Sequence, residues 1–162
     1  MLTKSKFQTQ RLAANFAKKI LRATRYGLRA QIIALSGDLG SGKTTFIQGF
    51  CRALGVKHGV SSPTFIIFRK HQIYGSRTSN KEVRLPKIGL RFVYHFDLYR
   101  IKNSKEILAL GFKKIINNPE NIVLIEWPEV IKKLLPKNII WIKFGHGRKQ
   151  NERKIDPAPF QK

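Results

Sequence analysis

Apolar residues recur along this chain in two periods, one helical and one extended. In residues 9–24, Leu12, Phe16 and Ile20 return every four positions with Ala13, Ala17 and Leu21 beside them. That spacing predicts an amphipathic helix laid against a core. Thr9 or Ser5 is suited to cap its start, and Gly27 stands past its end, where a left-handed residue often stops a helix. Gln31–Ser36 is a short continuous apolar run, the mark of a strand buried on both faces. A glycine-rich turn follows at 37–42. Phe46, Ile47, Phe50, Ala53 and Leu54 then restore helical spacing over Thr44–Leu54, before Gly55.

Further on, Ser61–Thr64 reads as a turn and Phe65–Phe68 as a strand. Arg91–Leu98 reads as the next strand, ending near Asp97. Glu106–Ile116 is a helix interrupted near Gly111, Ile122–Glu126 a buried strand, Val130–Leu135 a short helix closed by Pro136, and Ile139–Phe144 a late strand. Between 69 and 91 the pattern dissolves into seven Lys/Arg and one Glu, with Gly75, Pro86 and Gly89. This stretch is too long for a hairpin turn and predicts a mobile basic insertion between two strands. Residues 148–154 are polar and basic, and 155–162 are expected to form a flexible tail. Strands alternating with helices predict one α/β domain over residues 1–162, with a mostly parallel central sheet flanked by helices.

Composition narrows the class. With 42% hydrophobic residues in 162, the chain can build a core and is not a disordered segment. Its one cysteine, Cys51, excludes an internal disulfide. No apolar run reaches bilayer length, and the amino terminus lacks the apolar run of a secretory signal, so a soluble cytoplasmic protein is expected. The charge changes the picture more. The chain carries 32 Lys+Arg against 9 Asp+Glu, for +23, a field that attracts nucleic acid, anionic lipid or phosphate ligands. Twenty of those cations are lysines, without zinc-ligand spacing or an aromatic RNA-binding motif beside them. The field therefore argues for polyanion attraction and not for base-specific reading.

The strongest chemical signal is Gly37-Asp38-Leu39-Gly40-Ser41-Gly42-Lys43-Thr44, which fits the phosphate-binding loop pattern in full. Such a loop points several backbone N–H groups at a phosphate, and glycines at 37, 40 and 42 keep side chains out of the way. The helix that follows presents its positive end. Lys43 reaches the β- and γ-phosphates, and Thr44 offers its hydroxyl to Mg²⁺. A chance match in this chain is about one in a few hundred, and the flanking strand and helix reduce that further.

Hydrolysis needs an acid on a neighbouring strand as well. Asp97 and Glu126 each end a strand, where ligands of open α/β sheets bind. On spacing alone neither ranks above the other as metal ligand. Asp38, inside the loop, is suited either to shaping the loop or to orienting water. Thr64 has the place of a γ-phosphate sensor or of a simple turn residue. His95 reads as an inward-facing core residue, Arg100 as a phosphate neutraliser or surface ion-pair partner, and Trp127 as core packing beside the site.

Gly37–Phe46, Ser62-Pro63-Thr64-Phe65, His95-Phe96-Asp97-Leu98-Tyr99-Arg100 and Ile125-Glu126-Trp127 occur in that order. Together they resemble the tRNA threonylcarbamoyladenosine biosynthesis ATPases, the TsaE (YjeE) family, over roughly residues 5–145. The resemblance implies a single P-loop domain that binds ATP and Mg²⁺ and hydrolyses ATP. It implies work with a transferase heterodimer of TsaB and TsaD type proteins, which places threonylcarbamoyl on N6 of adenosine 37 in tRNAs reading codons that begin with A. It implies that the ATPase is not itself the transferase and meets tRNA through that assembly. By the same resemblance Thr44 and Glu126 hold Mg²⁺, Lys43, Asp97 and Glu126 support hydrolysis, and Thr9 joins residues 37–45 (Thr45 included) in contacting nucleotide. Trp127 matches an aromatic beside the site. The basic stretch 69–91 and the segment after Gly145, with Arg153, depart from the family pattern. Two other readings use the same residues: a small-molecule kinase with 69–91 as a lid, and a basic RNA-binding module with a vestigial nucleotide site.

Overall fold

A computed structural model describes residues 1–23, 30–56, 59–62, 66–74, 76–78, 81–83 and 90–157. The chain order is β1 (Leu2–Thr3), α1 (Lys6–Ala23), β2 (Gln31–Ser36), α2 (Lys43–Ala53), β3 (Phe68–Gln72), β4 (Ser76–Thr78), β5 (Lys81–Val83) and β6 (Phe92–Asp97). It continues with α3 (Ser104–Ala109), α4 (Phe112–Asn117), β7 (Asn121–Glu126), a 3-10 helix at Pro128–Leu134, β8 (Ile140–His146) and β9 (Arg153–Pro157).

Seven strands form one sheet in the order β1-β9-β8-β2-β7-β6-β3. Its centre, β8-β2-β7-β6, is parallel. The edges are antiparallel: β3 pairs with β6, and β9 pairs with both β8 and β1. The sheet is thus mixed, parallel only where helices cover both faces.

Alternation sorts the core into two halves. Ile33 and Leu35 of β2, Val93 of β6, Ile122 and Leu124 of β7, and Ile140, Ile142 and Phe144 of β8 pack under α1 and α2. Ile32, Ala34, Phe96, Val123 and Ile125 face the other way, onto Ile107 of α3, Phe112 and Ile116 of α4, and Ile131. The strand period of two thus makes a helix–sheet–helix sandwich. Close approach fixes α1 against α2: a methyl group on Gly49 would lie 2.5 Å from the Gln10 backbone.

Several boundaries differ from the sequence reading. Helix α1 begins at Lys6, with the Ser5 hydroxyl accepting from the Gln8 N–H at 3.2 Å, so Ser5 and not Thr9 caps it. The helix expected over 106–116 is two, split at Leu110 and Gly111, where Gly111 takes φ 77. An Asn103–Glu106 capping box starts the first of them.

The stretch 69–91 is not wholly an irregular insertion. The strand expected at Phe65–Phe68 instead runs over Phe68–Gln72 as β3 on the sheet edge, after a turn at Ile66 and Ile67, and β4 and β5 pair antiparallel in a separate two-stranded sheet. An edge strand with one solvated side needs few apolar residues. The expected tail is corrected too, since residues 155–157 belong to β9 and Ile155 is buried. Gly27, Pro63, Thr64 and Phe65, and residues 158–162, lie outside the described residues.

Candidate functional site

The site lies at the carboxyl ends of the parallel strands. β2 delivers the glycine loop, β7 next to it delivers Glu126, and β6 beside that delivers Asp97, which is the register partner of Glu126. Leu39, Gly40, Gly42, Lys43, Thr44, Thr45, Ser62, Asp97, Tyr99, Arg100, Glu126 and Trp127 line a cavity of about 390 Å³. Strands β2, β7 and β6 end together because their registers are level, so acids that close two separate apolar runs become neighbours.

Gly37 shows why the loop starts with glycine. It takes φ 132, and a methyl group there would lie 2.1 Å from the Phe144 carbonyl oxygen on β8. Strand packing, and not only phosphate access, forbids a side chain at 37. Gly42 adopts a left-handed conformation, φ 99, and opens α2 without a side-chain cap. The first N–H groups of α2 are therefore free of a competing side chain at the place where an anion is best received.

Lys43 is buried and bends back over its own loop. Its Nζ donates to the Gly37 carbonyl at 2.6 Å and the Asp38 carbonyl at 2.9 Å. The ammonium also sits 4.0 Å above the centre of the Trp127 ring. Burial pushes its pKa below 10.5, opposed by the nearby charges of Glu126, Asp97, Glu129 and Asp38. Trp127 is held under it by an unusual backbone, φ 59, with its N–H on the Leu35 carbonyl at 3.3 Å.

The Thr44 hydroxyl donates to both oxygens of Glu126, each at 3.0 Å. Glu126 Oε1 also receives His95 Nε2 at 2.9 Å. Asp97 accepts the Ser62 hydroxyl on Oδ2 and the Tyr99 N–H on Oδ1, the latter at 3.1 Å. Both acids are almost fully buried. Buried carboxylates persist where donors surround them, as here. A hydroxyl and a carboxylate in contact are hard oxygen donors, the type that suits Mg²⁺ and leaves most of its shell to water and phosphate. Among the described residues no three His, Cys, Asp or Glu side chains gather into a metal-holding group. The donor set therefore fits an ion shared with a phosphate ligand.

Asp38 and Leu39 are exposed on the loop, and the Ser41 hydroxyl is buried without a hydrogen-bond partner among the described residues. Thr9 lies away from the cavity lining: it is buried in α1, its hydroxyl 2.8 Å from that of Thr3. Arg100 lines the cavity. Four contacts were not legible beforehand: His95 on Glu126, Ser62 on Asp97, Arg153 Nε on the Gly40 carbonyl at 3.0 Å, and His146 Nε2 on the Leu39 carbonyl at 3.2 Å. For His95 the sequence shows only that alternation puts it on one face with Asp97; its contact with Glu126 depends on β7 lying beside β6.

The sequence model of the family described as "Threonylcarbamoyl adenosine biosynthesis protein TsaE" matches residues 3–155. The chain belongs to the TsaE family. The TsaE protein of Rickettsia prowazekii is 39% identical over 130 residues, 78% of this chain and 74% of its own. That of Haemophilus influenzae is 30% identical over 140 residues, 86% of this chain and 77% of its own. The crystal structure of Bacillus subtilis YdiB is similar with a TM-score of 0.59 and 26% identity, covering 96% of this chain and 80% of that one. TsaE membership carries a role in threonylcarbamoyladenosine biosynthesis. No helix among the described residues is long and apolar enough to cross a membrane.

Proposed function

We propose that this TsaE chain binds ATP with Mg²⁺ in the cavity and hydrolyses it. It does so as the cytoplasmic ATPase subunit for threonylcarbamoyladenosine formation at position 37 of tRNAs that read codons beginning with A. TsaB and TsaD type proteins carry out the transfer and bring in the tRNA. One observation carries the reading: Lys43, Thr44 and Glu126 converge on one cavity at the head of α2.

Each residue has a task in this account. Lys43 leaves the carbonyls of Gly37 and Asp38 and transfers its charge to the β- and γ-phosphates. That exchange is favoured because a poorly solvated ammonium gains more from an anion than a hydrated one does. The loop N–H groups and the start of α2 hold the phosphates in place. Thr44 and Glu126 hold Mg²⁺, which when bound draws off charge from the phosphate oxygens. Asp97, fixed by Ser62 and Tyr99, orients the attacking water by accepting its hydrogen. Arg100 adds positive charge at the cavity wall.

Reconstitution tests the proposal. Purified chain, TsaB and TsaD type proteins, a preformed activated threonylcarbamoyl donor (the adenylate), ATP and unmodified tRNA are combined, and the modified nucleoside is quantified by chromatography. Repeated formation of threonylcarbamoyladenosine with wild type and its loss with Lys43→Ala is expected. Equal formation without the chain, or with Lys43→Ala, overturns the proposal.

A further inference from the structure

His95 reads from sequence as a core residue, and its burial is complete. Two features separate it from packing alone. Its Nε2 lies 2.9 Å from Glu126 Oε1, and its Nδ1 is buried with no partner among the described residues. An aliphatic side chain would fill this position without leaving a buried nitrogen unpaired, so packing gives no reason for an imidazole. The second feature is geometric. Val93, His95 and Asp97 share the α2 face of β6, and their register partners Ile122, Leu124 and Glu126 share that face of β7. His95 therefore stands on the strand beside Glu126, two residues before Asp97, and is not among the residues that line the cavity.

We propose that His95 is the positioning residue that sets the carboxylate plane of Glu126 toward Thr44 and the cavity. The last torsion of a glutamate is broad, so its rotamer does not orient the carboxylate. A carboxylate only accepts, so Nε2 carries the hydrogen and donates it to Oε1. Oε1 then has two donors, His95 and Thr44, while Oε2 has Thr44 alone and keeps more of its accepting capacity for a cation. This is the arrangement in which an outer partner tunes a cation-binding oxygen. The inference rests on the reading of Thr44 and Glu126 as the Mg²⁺-nucleotide donors.

The test measures Mn²⁺ as a Mg²⁺ substitute, by electron paramagnetic resonance of the free ion in the presence of ADP. ADP affinity in EDTA is measured beside it by calorimetry. His95→Leu is expected to raise the Mn²⁺ half-saturation about ten-fold or more, with metal-free ADP affinity held within about two-fold. His95→Gln, whose amide N–H reaches the Nε2 position, is expected to recover to within about three-fold of wild type. Should His95→Leu fail to fold, His95→Asn takes its place, because its donor stops at the other ring position; it is expected to match the loss. Unchanged Mn²⁺ affinity in the Leu or Asn variant overturns the inference, as does an equal fall in both arms or a Gln variant no better than Asn. If wild type itself binds no Mn²⁺ with ADP, the donor assignment fails first and the positioning role falls with it.

Discussion

The Thr44 hydroxyl lies 3.0 Å from each oxygen of Glu126, although the two residues are 82 positions apart. Each group completes the other only because β2 and β7 pair in level register. Thr44→Val and Glu126→Gln should therefore each reduce Mg²⁺-dependent ATP hydrolysis, and the double variant should fall short of their sum by on the order of 1–3 kcal/mol. Steady-state rates across a magnesium series check this. Additive losses would mean that the pair does not act as a unit.

Lys43 and Trp127 give an optical reading of the same site. The ammonium rests 4.0 Å over the indole, a contact worth roughly 0.5–2 kcal/mol. If phosphate draws Lys43 away, Trp127 loses its cation. Trp141→Phe leaves Trp127 as the single tryptophan. ATP is expected to change its emission in that background and to leave it unchanged once Lys43→Met is added.

Burial of Lys43 also sets a pH dependence. Its folded pKa is below 10.5, so between the two values the unfolded chain binds more protons than the folded one. Stability of the nucleotide-free protein from this group then rises with pH across that window. Nucleotide acts in the opposite direction. Phosphate favours the charged amine, so binding takes up a proton, and affinity weakens as pH rises through the lowered value. Calorimetry in buffers of different ionisation enthalpy above neutral pH reads the proton uptake directly.

Gly49→Ala tests the packing of α1 on α2. In an exposed helix this change gains about 1 kcal/mol. Here the added methyl would lie 2.5 Å from Gln10 backbone atoms that cannot rotate aside. Overpacking of this kind costs about 1–3 kcal/mol and wins. Urea unfolding should show a lowered midpoint; a raised one would mean that the two helices stand further apart.

Elements buried on both sides were legible in the sequence. β2 and β7 are continuous apolar runs because helices cover both faces, and α2 follows from its spacing between Gly42 and Gly55. The edges were not. In β3, Arg69, Lys70 and Gln72 sit at the rim, with Lys70 3.7 Å over the Phe92 ring, so the strand has no apolar alternation to show. β9 buries Ile155 between the polar Lys154 and Asp156, and its place depends on pairing with β8 and β1 across the whole chain. Within the site, Asp97 and Glu126 were visible as acids ending apolar runs. The contacts of His95 and Ser62 were not, because they depend on which strand lies beside which.

The central claim is that Lys43 and the loop clasp a nucleotide's phosphates, with the metal held beside them. Isothermal titration of the pure chain with ATP or ADP in magnesium tests it most directly. The account predicts saturable binding at one site in wild type and its loss in a folded Lys43→Ala variant. Absence of binding heat in the wild-type protein, or equal binding in both proteins, would contradict it.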